Sequence, residues 1–173
     1  MHDPHIVLES WSSADMELLR LINAPKMMEH LGGPETEEQL QARHKRYLEL
    51  EGRASGRMFR IVLLPGRATV GSIGYWDSEW NEERIYEIGW SVLPAYQGRG
   101  IASAAVAQAL VQASRENKHG YMHAFPAIDN PASNAVCRKL QFELLSVCEF
   151  EYPPGNKMQC HDWRLELQVE TKR

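Results

Sequence analysis

One short segment restricts the architecture of this 173-residue chain more than any other. Gln97-Gly98-Arg99-Gly100-Ile101-Ala102 follows a strand-like run ending at Pro94 and opens a long Ala-rich helix. Two glycines at a strand-to-helix turn leave the backbone without Cβ atoms. Successive N–H groups can then converge on one point, where the positive end of the helix dipole adds to them. Such a turn holds a phosphate or pyrophosphate; the plain alternative is a tight turn without a ligand. As a dinucleotide fingerprint the segment fails. Ser103 stands where the third glycine belongs, and the region about 20 residues on, Gly120-Tyr121-Met122-His123, has no acid for a ribose. No G-K-S/T follows, which excludes a Walker-type loop.

The length implies a single domain, 1–173, large enough to bury a real core. A net charge of −4 without a basic stripe argues against nucleic acid as a partner. The longest apolar stretch, Ile101 to Val111, is too short and too Ala-rich to span a bilayer. Met1-His2-Asp3-Pro4-His5 lacks the basic start and apolar run of a signal peptide. Three cysteines, Cys137, Cys148 and Cys160, show no C-x-x-C spacing and fit reduced thiols in a cytoplasmic protein. The seven histidines are unclustered, so no metal site is expected.

Periodicity and punctuation predict strands at Ile6–Trp11, Met58–Leu64, Ala68–Trp76, Arg84–Leu93, Tyr121–Ile128, Phe142–Tyr152 and Cys160–Val169. Helices are expected from Ser12 or Ser13 to Asn23, from Thr36 to Leu50 behind a Thr36–Gln39 capping box, and from Ile101 to Asn117. A short helix opens at Pro131 with Asn130 as its cap. The Ile101 helix is apolar nearly all round and should be buried, ending at His119-Gly120. Lys26 to Pro34 and Trp76 to Glu83 read as loops, Pro65-Gly66 and Pro153-Pro154-Gly155-Asn156 as turns. The order β-α-α-β-β-β-α-β-α-β-β describes a mixed α/β sheet.

Roughly thirty residues after the glycine turn stands Asn130-Pro131-Ala132-Ser133-Asn134-Ala135-Val136-Cys137-Arg138-Lys139-Leu140-Gln141-Phe142. The two motifs, their spacing and the element order resemble the GCN5-related N-acetyltransferase (GNAT) superfamily over nearly the whole chain. Gln97–Ala102 matches its acetyl-CoA signature, R/Q-x-x-G-x-G/A, at every fixed position. Asn130, Ser133, Val136, Lys139 and Phe142 resemble its second pattern, and Glu87-Ile88-Gly89-Trp90 looks like the branch that includes ribosomal-protein N-terminal acetyltransferases and many small-amine acetyltransferases. Two positions depart: Gln141 replaces the usual glycine, a helix C-cap change, and Cys137 replaces a frequent tyrosine, which leaves the acid step open.

The resemblance implies acetyl transfer from acetyl-CoA to a primary amine, on a small molecule or a peptide N-terminus, with no metal; a homodimer is compatible with it. Backbone N–H groups from Gly98 through Ser103, spanning Arg99, Gly100, Ile101 and Ala102, are expected to cradle the pyrophosphate, with Gln97 bracing the turn. Arg99 either adds charge or is simply solvated. The strand Glu87–Leu93 should splay from Tyr121–Ile128, leaving a gap for pantetheine. A backbone N–H near Ser91 or Val92 would polarise the thioester carbonyl, with Gly89 as the place for a bulge. Glu87 lies on the face opposite Tyr86, Ile88 and Trp90; it is either the base that deprotonates the amine or a solvated strand glutamate. His123 is a second base or a hydrogen-bonded structural histidine.

Asn130, Ser133, Asn134 and Cys137 fall at i, i+3, i+4 and i+7 and form a polar helix face, opposed by Ala132, Val136 and Leu140. Beside the gap, that face would put Asn130 and Ser133 on the pantetheine and Cys137 near the sulfur, as an acid with water as its rival or as a small buried residue. By resemblance, the Lys26–Pro34 loop and the Thr36 helix wall the acceptor pocket. Met27, Met28, Glu29 and His30 suit an apolar amine, a peptide N-terminus or a polyamine. A non-catalytic CoA-binding regulatory module and a nucleotide-dependent oxidoreductase are the rival readings.

Overall fold

The computed structural model describes residues 2–151 and 154–168. Seven strand-forming runs pair edge to edge in the order β1-β2-β3-β4-β5-β7-β6. They are β1 (Ile6–Ser10), β2 (Gly56–Leu63), β3 (Ala68–Trp80), β4 (Glu83–Val92), β5 (Tyr121–Ala124), β6 (Glu143–Glu151) and β7 (Lys157–Glu166). Every neighbouring pair is antiparallel except β4 and β5, which run parallel. Helices α1 (Met16–Ile22), α2 (Glu37–Leu50), α3 (Ile101–Glu116) and α4 (Pro131–Lys139) complete the predicted order.

Strand alternation sends successive residues to opposite faces and so builds two cores. On β2, Met58 packs with Trp11, Leu18, Leu19, Ile22 and Leu40 of the α1–α2 layer. The next residue, Phe59, packs with Ile73, Tyr75, Tyr86, Ile88 and Met122 against Ile101, Ala105, Val106, Ala109 and Ala113 of α3. Alanines let α3 lie close to the sheet. The Tyr75 hydroxyl, buried with that core, donates to Glu116 Oε1 at 2.9 Å at the far end of α3. The expected capping devices are present: Thr36 Oγ1 accepts from the Gln39 N–H, and Asn130 Oδ1 from the Ser133 N–H.

Several expectations are corrected. Trp76–Glu83 is a β-hairpin, because Asn81 and Glu82 both take positive φ (49° and 65°) and turn the chain in two residues. Neither residue is the glycine that normally marks this turn. Gly89 makes no bulge; it pairs in register with Gly74. α3 is half-exposed at Val111, so only one face is buried, and Asn117 in the left-handed region closes it ahead of His119-Gly120. β5 stops at Ala124 rather than Ile128, and β7 begins before Cys160. Tyr152, Pro153 and Val169 lie outside the described residues.

Left-handed backbone costs an L-residue roughly 1–2 kcal/mol relative to its preferred region. Replacing Glu82 by glycine should therefore stabilise the hairpin by about 0.5–1 kcal/mol net of the glycine's extra unfolded entropy. Chemical denaturation should show a higher midpoint for Glu82→Gly; an unchanged or lowered midpoint contradicts the turn assignment.

Candidate functional site

The parallel pair β4–β5 is joined only at Tyr86↔Met122 and Glu87↔His123. Beyond Ala124 the chain swings to β7, where Pro126 O accepts from His161 N–H at 2.9 Å and Ile128 N–H donates to Gln159 O at 3.1 Å. From Ile88 onward β4 thus has no strand on that side. A cavity of about 890 Å³ occupies the opening and runs from the first turn of α3 past Glu87 to Phe125 and Phe150.

The backbone of β4 alternates between its two neighbours. Leu93 N–H donates to Val70 O at 2.8 Å, and the Ser91 carbonyl packs against Gly71, so both belong to the β3 side. Alternation turns the backbone of Val92 to the gap. Gln97 Nε2 donates to the Val92 carbonyl at 2.8 Å, bracing the turn as expected and leaving the Val92 N–H.

At the turn, Gly98 and Gly100 have φ of +74° and +77°, conformations that glycine adopts without strain. Gly100 is the N-cap of the 16-residue α3, whose dipole points into the cavity. Gly98, Gly100, Ile101, Ala102 and Ser103 line the cavity wall. Arg99 does not; its guanidinium lies 5.4 Å from the centroid of the Tyr96 ring.

α4 meets the cavity differently from expectation. Its lining residues are Pro131, Ala132, Ser133 and Val136, with the cap Asn130. Asn134 turns away: its Nδ2 donates to Ala127 O and Asn130 O, and its Oδ1 accepts from His161 Nδ1 and Trp163 Nε1 at 2.7 and 2.8 Å. Cys137, one turn on, is fully buried in the α3-side core and does not line the cavity. Burial pushes its thiol up to about 12. The predicted polar face is therefore divided: Asn130 and Ser133 reach the gap as expected, whereas Asn134 docks on β7 and Cys137 in the core.

Glu87 lines the cavity at the last paired position of β4. Its register neighbour on β3 is Trp76, whose Nε1–H donates to Glu87 Oε2 at 2.8 Å. The indole lies over Gly89; a Cβ there would stand 3.2 Å from the ring. Burial raises the Glu87 carboxyl above its ordinary range, against the opposing pull of the Trp76 N–H and of nearby His123. Of the α1–α2 loop, Lys26, Met27, Glu29 and His30 reach the cavity, whereas Met28 is fully buried elsewhere. Sequence reading missed Trp76, Phe125 and Phe150 as wall residues. Continued alternation through Trp76, Ser78 and Trp80 was the available signal for the longer strand. Among the described residues no helix is long and apolar enough to cross a membrane.

If the indole N–H holds the Glu87 charge, its loss must favour the neutral acid. Trp76→Phe should move the Glu87 titration further up, read by carboxyl NMR of the folded variant. An unmoved titration would show that this hydrogen bond does not govern the group.

Residues 5–143 match the family described as acetyltransferase (GNAT) domain. No curated protein matches the sequence. Among solved structures, one similar chain is the Salmonella typhimurium acetyltransferase that modifies the N-terminal serine of a 50S ribosomal subunit protein. The two share 19% identity over 94% of this chain and 95% of that one, with a TM-score of 0.78. The spermidine N-acetyltransferase of Vibrio cholerae, solved with CoA and spermine, is 16% identical over 95% and 96%, with a TM-score of 0.75. A ribosomal-protein-alanine acetyltransferase of Vibrio fischeri is 16% identical over 99% and 98%, with a TM-score of 0.78. At these identities the likeness is one of fold.

Proposed function

The chain belongs to the GNAT acetyltransferase family, and from that premise we propose which residues perform the transfer and what kind of amine they accept. The protein is an acetyl-CoA-dependent N-acetyltransferase acting on a primary amine. The observation that carries the site assignment is the continuous cavity joining the α3 glycine turn to Glu87 through the β4–β5 opening.

Gly98 through Ser103 hold the pyrophosphate with backbone N–H groups and the α3 dipole. The open edge of β4 binds the pantetheine arm as a strand would, and the Val92 N–H donates to the thioester carbonyl, where negative charge grows during attack. Asn130 and Ser133 border the same channel. Glu87 takes a proton from the alkylammonium so that the amine can attack; its raised pKa brings the acceptor closer to neutral pH, as a general base requires. The ammonium loses two protons in all: one ends on the CoA sulfur and one leaves through Glu87. Cys137 packs in the core, and water protonates the sulfur.

The acceptor end is walled mainly by Leu19, Ile22, Leu50, Met58, Trp76, Phe125 and Phe150. Charges of both signs, Lys26, Arg46, Glu29 and Glu151, stand around it. Such a wall selects one ammonium attached to a compact apolar or neutral group, a peptide N-terminus or a monoamine, over a polycation. Thioester consumption with a panel of N-terminal peptides, monoamines and polyamines tests this. Preference for the polyamines overturns the acceptor assignment, and CoA binding without turnover on any amine would favour a regulatory module.

Gly100→Asp places a carboxylate against the pyrophosphate and should weaken CoA binding about 10-fold or more, about 1.4 kcal/mol or more. Glu87→Gln should lower kcat/KM about 10²-fold or more at neutral pH, with the deficit shrinking as pH rises and free amine accumulates. Stability should move oppositely. A carboxyl whose folded pKa lies above its unfolded value binds more protons when folded, so stability falls as pH climbs between the two values and the loss persists above them. Glu87→Gln removes that loss and should raise the neutral-pH Tm. Cys137→Ala should lower Tm while kcat stays within about threefold; a loss of about 10-fold or more in a folded variant would restore Cys137 as the acid.

A further inference from the structure

Behind Glu87, on the neighbouring strand, stands a buried histidine that the transfer steps leave unused. His123 is 3% exposed and is the register partner of Glu87 on β5, so the two side chains share a face. Its Nδ1 lies 2.6 Å from Asp162 Oδ1 on β7, on the side of β5 away from β4. The other oxygen, Oδ2, accepts from Trp80 Nε1 at 3.0 Å. A carboxylate with both oxygens so engaged can only accept from the ring, which assigns a proton to Nδ1 and, in the neutral ring, leaves Nε2 as a bare lone pair. That Nε2 is buried and, among the described residues, has no hydrogen-bond partner. Phe125 stacks on the ring at 5.8 Å and holds its plane.

An unpartnered buried nitrogen opposes stability unless it has another use. With Nδ1 committed to β7, Nε2 on the opposite edge of the ring is left to the β4 side, where Glu87 stands. We propose that His123, oriented by Asp162, is a positioning residue that receives the substrate proton from Glu87 and returns Glu87 to its ionised form within the catalytic cycle. The proton passes from the ammonium nitrogen to a Glu87 oxygen. That O–H then breaks as an N–H forms at His123 Nε2, and the imidazolium charge is balanced by Asp162. The proton later returns through Glu87 to solvent in the cavity. No oxidant or further reactant enters.

The charged groups around the ring are few. Glu87 faces it from β4, Asp162 and Arg164 from β7, and the β3–β4 hairpin contributes only the neutral indole of Trp80. Arg164 is drawn aside over Tyr121, 4.6 Å from the ring centroid. On β6, Cys148 lies near Asp162, whose charge adds to burial in pushing that thiol up to about 11.

This inference rests on Glu87 being the base, and the test separates the two. The pH dependence of kcat/KM is measured for the intact enzyme and for folded His123→Gln, Asp162→Asn and Glu87→Gln. In both His123→Gln and Asp162→Asn the acidic limb should move to higher pH by about half a unit or more. The value at pH 7 should fall about 10-fold, with KM for acetyl-CoA unchanged. Limbs that stay at the wild-type position in both variants, with only Tm lowered, overturn the proposal and leave Glu87 as the base. A limb that persists in Glu87→Gln overturns the base assignment itself. The unsubstituted protein supplies a second measurement, free of folding effects. At pH 8 the ¹⁵N shifts of His123 should report Nδ1–H with bare Nε2; the opposite tautomer overturns the proposal.

Discussion

Every functional part of this molecule depends on one failure of strand pairing. β4 and β5 hold together over two register pairs and then separate. A parallel ladder that stops there leaves peptide groups of β4 without partners inside the protein, where such groups are costly unless something satisfies them. Gln97 satisfies one of them at the Val92 carbonyl. The remainder form a strand edge without a strand, open to an extended amide-bearing arm. The same separation places the α3 dipole and the glycine turn at one end of the opening and Glu87 at the other. The glycine turn and the strand position of Glu87 are thus fixed relative to each other by backbone.

Glu87 itself is a compromise between opposing forces. Burial disfavours its charge, whereas the Trp76 indole N–H, and a positive charge on His123 whenever that ring is protonated, favour it. The indole reaches its position because Gly89 leaves room beneath it, so a residue without a side chain tunes an acid two positions away. Trp76 in turn depends on the long β3–β4 hairpin, which keeps both residues on one face and in direct register.

What was legible in the sequence was local. The glycine turn, the Thr36 and Asn130 caps and the parity that sets Glu87 opposite Tyr86 each depend on a few consecutive residues, and each stands where the pattern put it. The hairpin tip reads as a loop in sequence because Asn81-Glu82 lacks the glycine that usually accompanies two left-handed residues. The early end of β5 has one local signal, Pro126, which offers no N–H to a ladder, but the course of the chain beyond it is decided by pairing with β7. Cys137 shows the limit of a helical wheel. The wheel sets Asn134 and Cys137 on one face, but which neighbour that face meets is settled by bonds to His161 and Trp163, far along the chain. The His123–Asp162 pair spans 39 positions and leaves no motif.

The indole of Trp80 does more than close an aromatic cluster. β1 through β4 form one well-paired block, and β5, β7 and β6 form another. Between them the sheet offers only its two-residue ladder, and the Trp80–Asp162 hydrogen bond crosses the same seam from the hairpin tip. Mechanically the sheet is two plates joined at a short ladder, with polar contacts on either side of it: Trp80 to Asp162, and Asp77 to Lys118 and His119 at the entry to β5. Away from that seam the two plates can vary their surfaces separately. The Phe150 side of the cavity can be remodelled on the β6–β7 plate without disturbing the glycine turn that α3 carries on the other.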